Sequence, residues 1–250
     1  LQIRDCPSLS IYALHLEYSN RQESHRETEV IKRYCNLINI PLYVRVIDYI
    51  KRENTDRNFY EEVTKQVRFS SYRYIASKHN LSGWCLGHHY GDVAENVMMN
   101  LFNGRDLLDL TVMQEISTID NVMLYRPFIQ HPKSDIYELS RQFFVPYLKD
   151  TTPDWSCRGV LRRKVIPAIA DQWPMIHHTL SSIAQQSNEW SIVIEKFVME
   201  PLKKNIVIHP SKKSAELFLD ERFVTIPKVV WMNLFLYMFR LFLLLFFLLL

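Results

Sequence analysis

A segment near the middle of the chain changes from a strand pattern to a helix pattern within about ten residues. Residues 83–86 form a short apolar run, and His88 and His89 follow it after a glycine. An amphipathic helix is then predicted to begin near Asp92, because apolar residues recur on one face from there onward. In an open α/β sheet, this order places imidazole and carboxylate groups at the carboxyl edge of a strand, where such folds bind ligands. The segment therefore predicts an α/β fold with a ligand site at this edge.

Strand and helix patterns alternate through the larger, N-terminal part of the chain. Strands are predicted over residues 11–17, 42–48, 83–86, 121–126 and 145–148. Helices are predicted over residues 23–38, 59–79 and 133–143, in addition to the helix near Asp92. This alternation predicts a doubly wound parallel sheet with helices on both faces. Residues 170–200 have helical spacing, so a helical extension is expected to follow the sheet domain.

The composition restricts the class of protein. A chain of 250 residues, of which 48% are hydrophobic, can bury a sizeable core. The formal charge of +3 favours nucleic acid only weakly, so any basic surface must be local. The four cysteines, Cys6, Cys35, Cys85 and Cys157, are scattered and form no CxxC pair. This spacing is typical of reduced thiols in an intracellular protein, and it argues against a zinc ribbon or a cysteine-held iron–sulfur cluster.

The two ends of the chain are unusual. Residues 1–10 begin with leucine and lack the pattern of a signal peptide, so we expect a truncated start. Residues 231–250 are almost wholly apolar, apart from Asn233 and Arg240, and are about long enough to span a bilayer. A membrane tail anchor and a gene-model error or frameshift are both open interpretations of this segment. The predicted organisation is a sheet domain over residues 1–170, a helical extension over residues 171–228 and a hydrophobic tail over residues 229–250.

Several short motifs in chain order carry a family resemblance. The most specific is the run from His88 to Gly104, which contains His89, Asp92 and Glu95. The others are His15 and Arg21 in a strand and the turn after it; Glu61, Lys65 and Arg68 on one helix; Arg126-Pro127-Phe128 with Lys133 and Ile136; and Asp150, Thr152, Arg158, Leu161, Arg162 and Pro167. Together they resemble the motifs of the PP-loop ATP pyrophosphatases, specifically those of the tRNA(Ile)-lysidine synthases and their thiolating relatives. The resemblance spans residues 11–170 and implies an adenine nucleotide alpha hydrolase-like, Rossmann-like fold.

The chain departs from the family pattern at several positions. The family's first motif, Ser-Gly-Gly-x-Asp-Ser, would precede Ile11 and is not found in this sequence. That loop cradles pyrophosphate with backbone N–H groups. Gly91, Asn96 and Gly159 stand where the family usually has aspartate, threonine and asparagine. These substitutions put the positioning of Mg²⁺ and of the nucleotide in question.

The resemblance implies ATP and Mg²⁺ as cofactors, tRNA as the main partner and free lysine as a co-substrate. Such a reaction needs cationic donors on phosphate and a carboxylate that binds metal or accepts a proton. The predicted catalytic residues are Asp92, His89 and Glu95, and Asp92 is also the predicted metal ligand. The predicted nucleotide-binding residues are His15, Arg68 and His88, and the predicted tRNA-binding residues are Arg158, Arg162, Arg163 and Lys164. Each prediction has a structural alternative: a helix cap for Asp92, a solvated helix face for Glu95, and a solvated surface for the basic residues.

The function implied by the resemblance is lysidine synthesis on tRNA, in which ATP adenylates a cytidine base and the lysine amine then displaces AMP. Thiolation of tRNA is the nearest alternative, and the absence of cysteine pairs argues against it. A second alternative is a degenerate tRNA-binding protein without catalytic activity, which the missing loop, Gly91 and the apolar tail favour. A cytoplasmic location is expected, unless the tail is a genuine membrane anchor.

Overall fold

The structure is a computed structural model, and it describes residues 9–20, 23–110, 113–148, 152, 154, 156–209, 214–218, 221 and 225–247, with side chains to residue 243. Arg21 and Asp150 of the sequence motifs lie outside the described residues. The chain divides into two compact units. The first comprises residues 1–92 and 113–165, and the second comprises residues 93–112 and 166–250.

The first unit alternates strands and helices. Its elements are β1 (Ala13–Glu17), α1 (Ser24–Leu37), β2 (Leu42–Val46), a 3₁₀ turn (Arg52–Asn54), α2 (Arg57–His79), β3 (Trp84–Cys85), the start of α3 (Tyr90–Phe102), β4 (Ile116–Ile119), β5 (Val122–Tyr125), α4 (Lys133–Gln142), α5 (Cys157–Val160) and a π-helical turn (Leu161–Val165). β1 pairs in parallel with β2, and β3 pairs in parallel with β5. The predicted α/β class with parallel strands is therefore confirmed.

One antiparallel strand was not expected from the sequence. β4 pairs with β5 as a hairpin, so the strand order in this sheet is β3-β5-β4. The connecting residues, Asp120 and Asn121, have φ angles of 49° and 62°. Two successive residues with positive φ make the tight turn that matches the twist of a hairpin, and Asp and Asn tolerate this conformation better than most residues.

The strand predicted over residues 145–148 is wrong. These residues are irregular and pair with no strand in the described part of the chain. The reason lies in the end of α4, where Phe144 has a φ of 54° and the Val145 N–H donates to the Ser140 carbonyl at 2.9 Å. This closure commits the Val145 amide to the helix end and turns the chain sharply there.

The long helix α2 fixes the position of Arg68 within the first unit. Asp56 caps its start by accepting hydrogen bonds from the Asn58 and Phe59 N–H groups, each at 3.0 Å. Its buried face packs into a core cluster with β3 and β5, which consists of Phe69, Tyr72, Ile75, Trp84, Val122 and Leu124. Because Phe69 is held in this core, the neighbouring Arg68 is anchored as well.

The second unit is mostly helical. Its elements are the remainder of α3 from Val93, a 3₁₀ turn (Leu107–Asp109), α6 (Ile166–Gln172), α7 (Ile176–Ile194), a π-helical segment (Glu195–Met199), α8 (Glu200–Lys204), β6 (Ile206–His209), β7 (Ser214–Leu217) and α9 (Lys228–Phe247). The helices predicted over residues 170–200 are therefore present. Met199, Leu202, Val230 and Leu234 form a small core. Within the described residues, no helix combines the length and apolarity needed to cross a membrane.

Gly83 permits the close approach of β3 to β5. A Cβ atom at this position would lie 2.6 Å from Cε2 of Tyr125 and 2.8 Å from the carbonyl oxygen of Met123. Since one of these neighbours is backbone, a side chain would push the two strands apart. Gly87, only four residues further on, has nothing within 4 Å of its own Cβ position.

We therefore predict that Gly83→Ala lowers the free energy of unfolding by about 1 to 3 kcal/mol, the range typical of overpacking. Gly87→Ala is the matched control and should leave stability nearly unchanged. Urea denaturation followed by circular dichroism measures both variants. Equal stability of the two variants would contradict the strand contact described here.

Candidate functional site

Two parallel strands bring His88 and Arg126 to the same edge of a sheet. Cys85 of β3 is in register with Tyr125 of β5, and the Leu86 N–H donates to the Tyr125 carbonyl at 2.8 Å. Arg126 follows β5 directly, and His88 lies three residues after the end of β3. The carboxyl edge predicted from the sequence to carry the ligand site is therefore built from β3 and β5.

Arg126 is a buried cation with an unused donor. Only 3% of the residue is exposed, and its Nη1 donates to the Gln114 carbonyl at 2.7 Å and to Ser117 Oγ at 2.8 Å. Its Nε is buried and has no hydrogen-bond partner among the described residues. Burial lowers the pKa of Arg126, but a guanidinium group keeps its proton in proteins. A buried charge with an unpaired N–H is costly unless a ligand completes it.

The charges of three arginines act on His88. Burial lowers the pKa of His88, and the negative charge of Asp92 raises it. The positive charges of Arg126, Arg158 and Arg68 lower it further, so the pKa of His88 lies below its ordinary value. His88 is therefore neutral at pH 7. Its Nδ1, like the Nε of Arg68, is buried without a hydrogen-bond partner in the described part of the chain. We call His88, Arg68, Arg126 and Arg158 the cationic cluster.

Two tyrosines, Tyr18 and Tyr72, are affected by the charges of the cationic cluster. Burial raises the pKa of Tyr72, and the charges of Arg68 and Arg126 lower it. Burial also raises the pKa of Tyr18, against the charge of Arg68. Both phenols therefore lie close to the arginines. With several cationic donors and one nearby carboxylate, the cluster is suited to a polyanion such as a phosphate chain.

His89 and Asp92 form a reciprocal cap at the start of α3. Asp92 Oδ2 accepts a hydrogen bond from the His89 backbone N–H at 3.0 Å, and His89 Nδ1 accepts one from the Gly91 N–H at 3.0 Å. Because Nδ1 is an acceptor, the ring proton is on Nε2, which lies 3.6 Å from Asp92 Oδ2. This is the logic of a capping box, with histidine in the place of serine or threonine.

The cap also holds Asp92 beside a basic residue. Asp92 is buried, and its Oδ1 accepts a hydrogen bond from Arg162 Nη2 at 3.3 Å. Gly91 fits this arrangement, since a Cβ there would lie 3.0 Å from Cε1 and 3.2 Å from Nδ1 of His89. An aspartate at position 91, as the family usually has, would require the His89 ring to move.

Asp92 is the carboxylate that the sequence predicts for Mg²⁺ coordination. Among the described residues, no group of three or more His, Cys, Asp or Glu side chains is placed to hold a metal ion. Enzymes that use nucleotides commonly hold Mg²⁺ through one or two carboxylates together with substrate phosphates. Asp92, beside a cluster suited to phosphate, fits that second kind of site.

Glu95 and His15 are two further residues predicted for the site. Glu95 is buried one turn further along α3 and belongs to the second unit. His15 Nε2 lies 3.0 Å from Thr28 Oγ1, and that hydroxyl donates to Glu17 Oε2 at 2.5 Å. Burial lowers the pKa of His15, against the charges of Glu17 and Glu27. The contacts of His15 thus join β1 to α1, and its described partners do not include the cationic cluster.

The predicted tRNA-binding residues divide into two pairs. Arg158 and Arg162 are half-buried and act on His88 and Asp92. Arg163 and Lys164 are exposed, and Arg163 forms an ion pair with Asp154. Arg158 and Arg162 therefore belong with the site, whereas Arg163 and Lys164 face solvent.

Arg126, Tyr18 and Tyr72 were not predicted as site residues. Arg126 was part of a motif, but a single arginine next to a proline does not reveal burial. A usable signal was its position as the last residue of a predicted strand, at the same edge as His88. Nothing in the local pattern of Tyr18 or Tyr72 distinguishes them from ordinary core tyrosines.

The lowered pKa values of His88 and His15 predict a pH dependence of stability. A histidine with a pKa below its unfolded value of 6.5 stabilises the fold fully above that pH, and this contribution is lost as the pH falls below it. We expect the free energy of unfolding to decrease between about pH 7 and pH 5. His88→Gln and His15→Gln should each remove part of this decrease, and the double variant should remove more than either. Urea titrations at several pH values measure this, and an unchanged pH dependence in the double variant would contradict the assignment.

Comparison with known proteins identifies the family of the chain. A family model, the PP-loop domain, matches residues 1–169. Over 197 residues, the chain is 28% identical to the tRNA(Ile)-lysidine synthase of Chlamydia caviae, covering 78% of this chain and 61% of that protein. It is 24% identical to the tRNA(Ile)-lysidine synthase of Thermotoga maritima, and this match covers 80% of this chain and 48% of that protein. It is also 24% identical to the bifunctional protein TilS/HprT of Listeria innocua, and this match covers 86% of this chain and 33% of that protein.

The chain thus spans between 33% and 61% of these relatives' lengths. A solved structure, that of the U34-tRNA thiolase NcsA from Methanococcus maripaludis with its [4Fe-4S] cluster, matches with a TM-score of 0.58 at 16% identity. It covers 75% of this chain and 64% of that chain, and the likeness shows a shared fold. The resemblance drawn from the motifs is confirmed: the chain belongs to the PP-loop domain family.

Proposed function

We propose that this protein modifies tRNA as a lysidine synthase-like enzyme, joining free lysine to a cytidine base with consumption of ATP. The observation that carries the proposal is the cationic cluster, in which Arg68, Arg126 and His88 each have a buried nitrogen without a described partner. Membership of the PP-loop family and the likeness to tRNA(Ile)-lysidine synthases support it. ATP supplies the adenylyl group that activates the cytosine carbonyl oxygen, and pyrophosphate and then AMP are released.

The cationic cluster would bind the phosphates. Arg68 and Arg126 are charged donors held by the protein core, so they do not reorganise when negative charge develops on the phosphate oxygens. Their partial burial strengthens the attraction, since less water screens it. A neutral His88 can donate one hydrogen bond without adding further repulsion among the arginines.

Asp92 would hold Mg²⁺ when the nucleotide is bound. The His89 cap fixes the orientation of the carboxylate, and Arg162 supports its other oxygen. We keep Asp92 and His89 as proposed catalytic residues on this basis. Glu95 stays a proposed catalytic residue because of its position in the motif, and His15 stays a proposed nucleotide-binding residue for the same reason.

The exposed pair Arg163 and Lys164 would contact tRNA phosphates. Cations at a protein surface bind the RNA backbone without reading its sequence. Arg158 and Arg162 would link this surface to the reacting base, because the charge of Arg158 acts on His88 and Arg162 contacts Asp92. We place the activity in the cytoplasm, since tRNA is the proposed substrate.

The direct test is incubation of the protein with bulk tRNA, ATP, Mg²⁺ and radiolabelled lysine, followed by precipitation of the RNA and nucleoside analysis. We expect ATP-dependent label in RNA, recovered as a lysine-modified cytidine. Label from a sulfur donor in place of lysine would instead establish tRNA thiolation. Salt-sensitive tRNA binding without any ATP-dependent product would establish a non-catalytic binding protein.

Arg68→Gln provides a sharper test of the phosphate role. A hydrogen bond to a charged group contributes about 1.5 to 3 kcal/mol, so we expect ATP affinity to fall by at least about tenfold. Arg73→Gln is the matched control, since Arg73 lies on the same helix and is exposed, with Nη1 donating to the Asp120 carbonyl at 3.2 Å. Isothermal titration calorimetry with ATP measures both variants. Equal losses in the two variants would contradict a specific role of Arg68.

A further inference from the structure

An aromatic residue occupies the position at the end of α4 that glycine normally takes. Phe144 has a φ of 54°, its N–H donates to the Arg141 carbonyl at 3.4 Å, and the next N–H, of Val145, donates to the Ser140 carbonyl at 2.9 Å. This is the hydrogen-bond pattern of a Schellman motif, in which the left-handed residue is usually glycine because a Cβ atom is strained there. Phe144 therefore carries backbone strain.

No burial compensates for this strain. Phe144 is 89% exposed, so its phenyl ring gains almost nothing from packing within the chain. Strained residues persist where the surrounding structure or a function requires them. The helix cap itself requires the left-handed conformation but not an aromatic side chain, which leaves the exposed ring unexplained by the fold.

Aromatic and basic residues continue along α4 from Phe144. Lys133, Tyr137 and Arg141 are spaced four residues apart, so they share one face of the helix. Lys133 Nζ lies 5.6 Å from the centroid of the Tyr137 ring, and the Tyr147 ring is 5.0 Å from that same ring. We call Lys133, Tyr137, Arg141, Phe144 and Tyr147 the aromatic–basic stripe.

The charge of the stripe indicates what kind of molecule binds it. Cations alternate with aromatic rings, of which those of Phe144 and Tyr147 are exposed. Of the two acidic residues of α4, Asp135 lies off the four-residue spacing and Glu138 lies three residues before Arg141. The core of a protein–protein contact is usually depleted of lysine, whereas single-stranded nucleic acid is bound by rings that stack on bases beside cations that contact the backbone. The stripe has the second composition.

The stripe also begins beside the candidate site. The Tyr90 N–H, at the start of α3, donates to the His131 carbonyl at 3.0 Å, and His131 lies two residues before Lys133. A strand of RNA whose target base is at the site can therefore continue onto α4. We propose that the aromatic–basic stripe binds unpaired nucleotides of the RNA substrate, with Phe144 stacking on a base. This inference rests on the proposed function, which supplies RNA as the substrate.

The decisive variant is Phe144→Gly, because it should stabilise the fold and at the same time weaken RNA binding. Glycine relieves the strain at φ 54°, so the melting temperature should rise by about 2 °C. Loss of the stacking ring should weaken RNA binding on the order of tenfold. Phe144→Trp keeps a ring and should retain most of the affinity. Asn80→Gly is the matched control, since Asn80 ends α2 with a φ of 51°, and its RNA affinity should be unchanged.

Fluorescence anisotropy with bulk tRNA and with an oligouridine strand measures these affinities, and sedimentation velocity measures self-association. Weakened binding of both RNAs by Phe144→Gly, with Phe144→Trp and Asn80→Gly near wild type, supports the proposal. Unchanged affinity of Phe144→Gly for both RNAs overturns it, as does self-association of the wild type that depends on Phe144. Phe144-dependent binding without lysine incorporation would reject the proposed function while leaving the stripe established.

Discussion

The proposed function depends on positive charge near one neutral histidine, His88. Three guanidinium groups, from Arg68, Arg126 and Arg158, act on His88, while Asp92 opposes them. Like charges held in a poorly solvated place repel each other, and the buried N–H groups of Arg68 and Arg126 have no described partner. A bound anion would relieve both costs at once. We propose that this arrangement is assembled in advance for a negatively charged ligand, at some expense in stability.

The scaffold holds this charge in place by ordinary packing. Gly83 allows β3 to lie close against β5, which brings His88 beside Arg126. The β4–β5 hairpin then accepts hydrogen bonds from Arg126 through Ser117 and the segment before it. The reciprocal cap between His89 and Asp92 fixes the start of α3 and presents the carboxylate to Arg162. Each of these contacts is local, and together they build the carboxyl edge of the sheet.

The sequence predicted the parts of this fold that depend on regular periodicity. The strand–turn–helix segment that leads into α3, the long helix α2 and the parallel class were all correct, because apolar spacing reports burial directly. β4 was missed because the strand has only four residues, which mix apolar and polar side chains, and because its pairing depends on a two-residue turn. Residues 145–148 resembled a strand, but the closure at Phe144 commits the Val145 N–H to the Ser140 carbonyl at the helix end. Boundaries of this kind depend on single backbone conformations rather than on pattern.

The site was predictable in outline and less so in detail. The motif indicated His88 and Asp92, whereas the burial of Arg126 and the contact of His15 with Thr28 arise from tertiary packing. His89 illustrates the limit, since a capping histidine and a catalytic histidine have the same sequence signature.

An NMR titration of the His88 ring, identified by comparison with His88→Gln, tests whether the cationic cluster binds an anion. We expect His88 to titrate below pH 6.5 in the free protein, and we expect added ATP to move this midpoint to higher pH, because phosphate charge favours the imidazolium. A midpoint that ATP at millimolar concentration leaves unchanged would contradict an anion site at the cationic cluster.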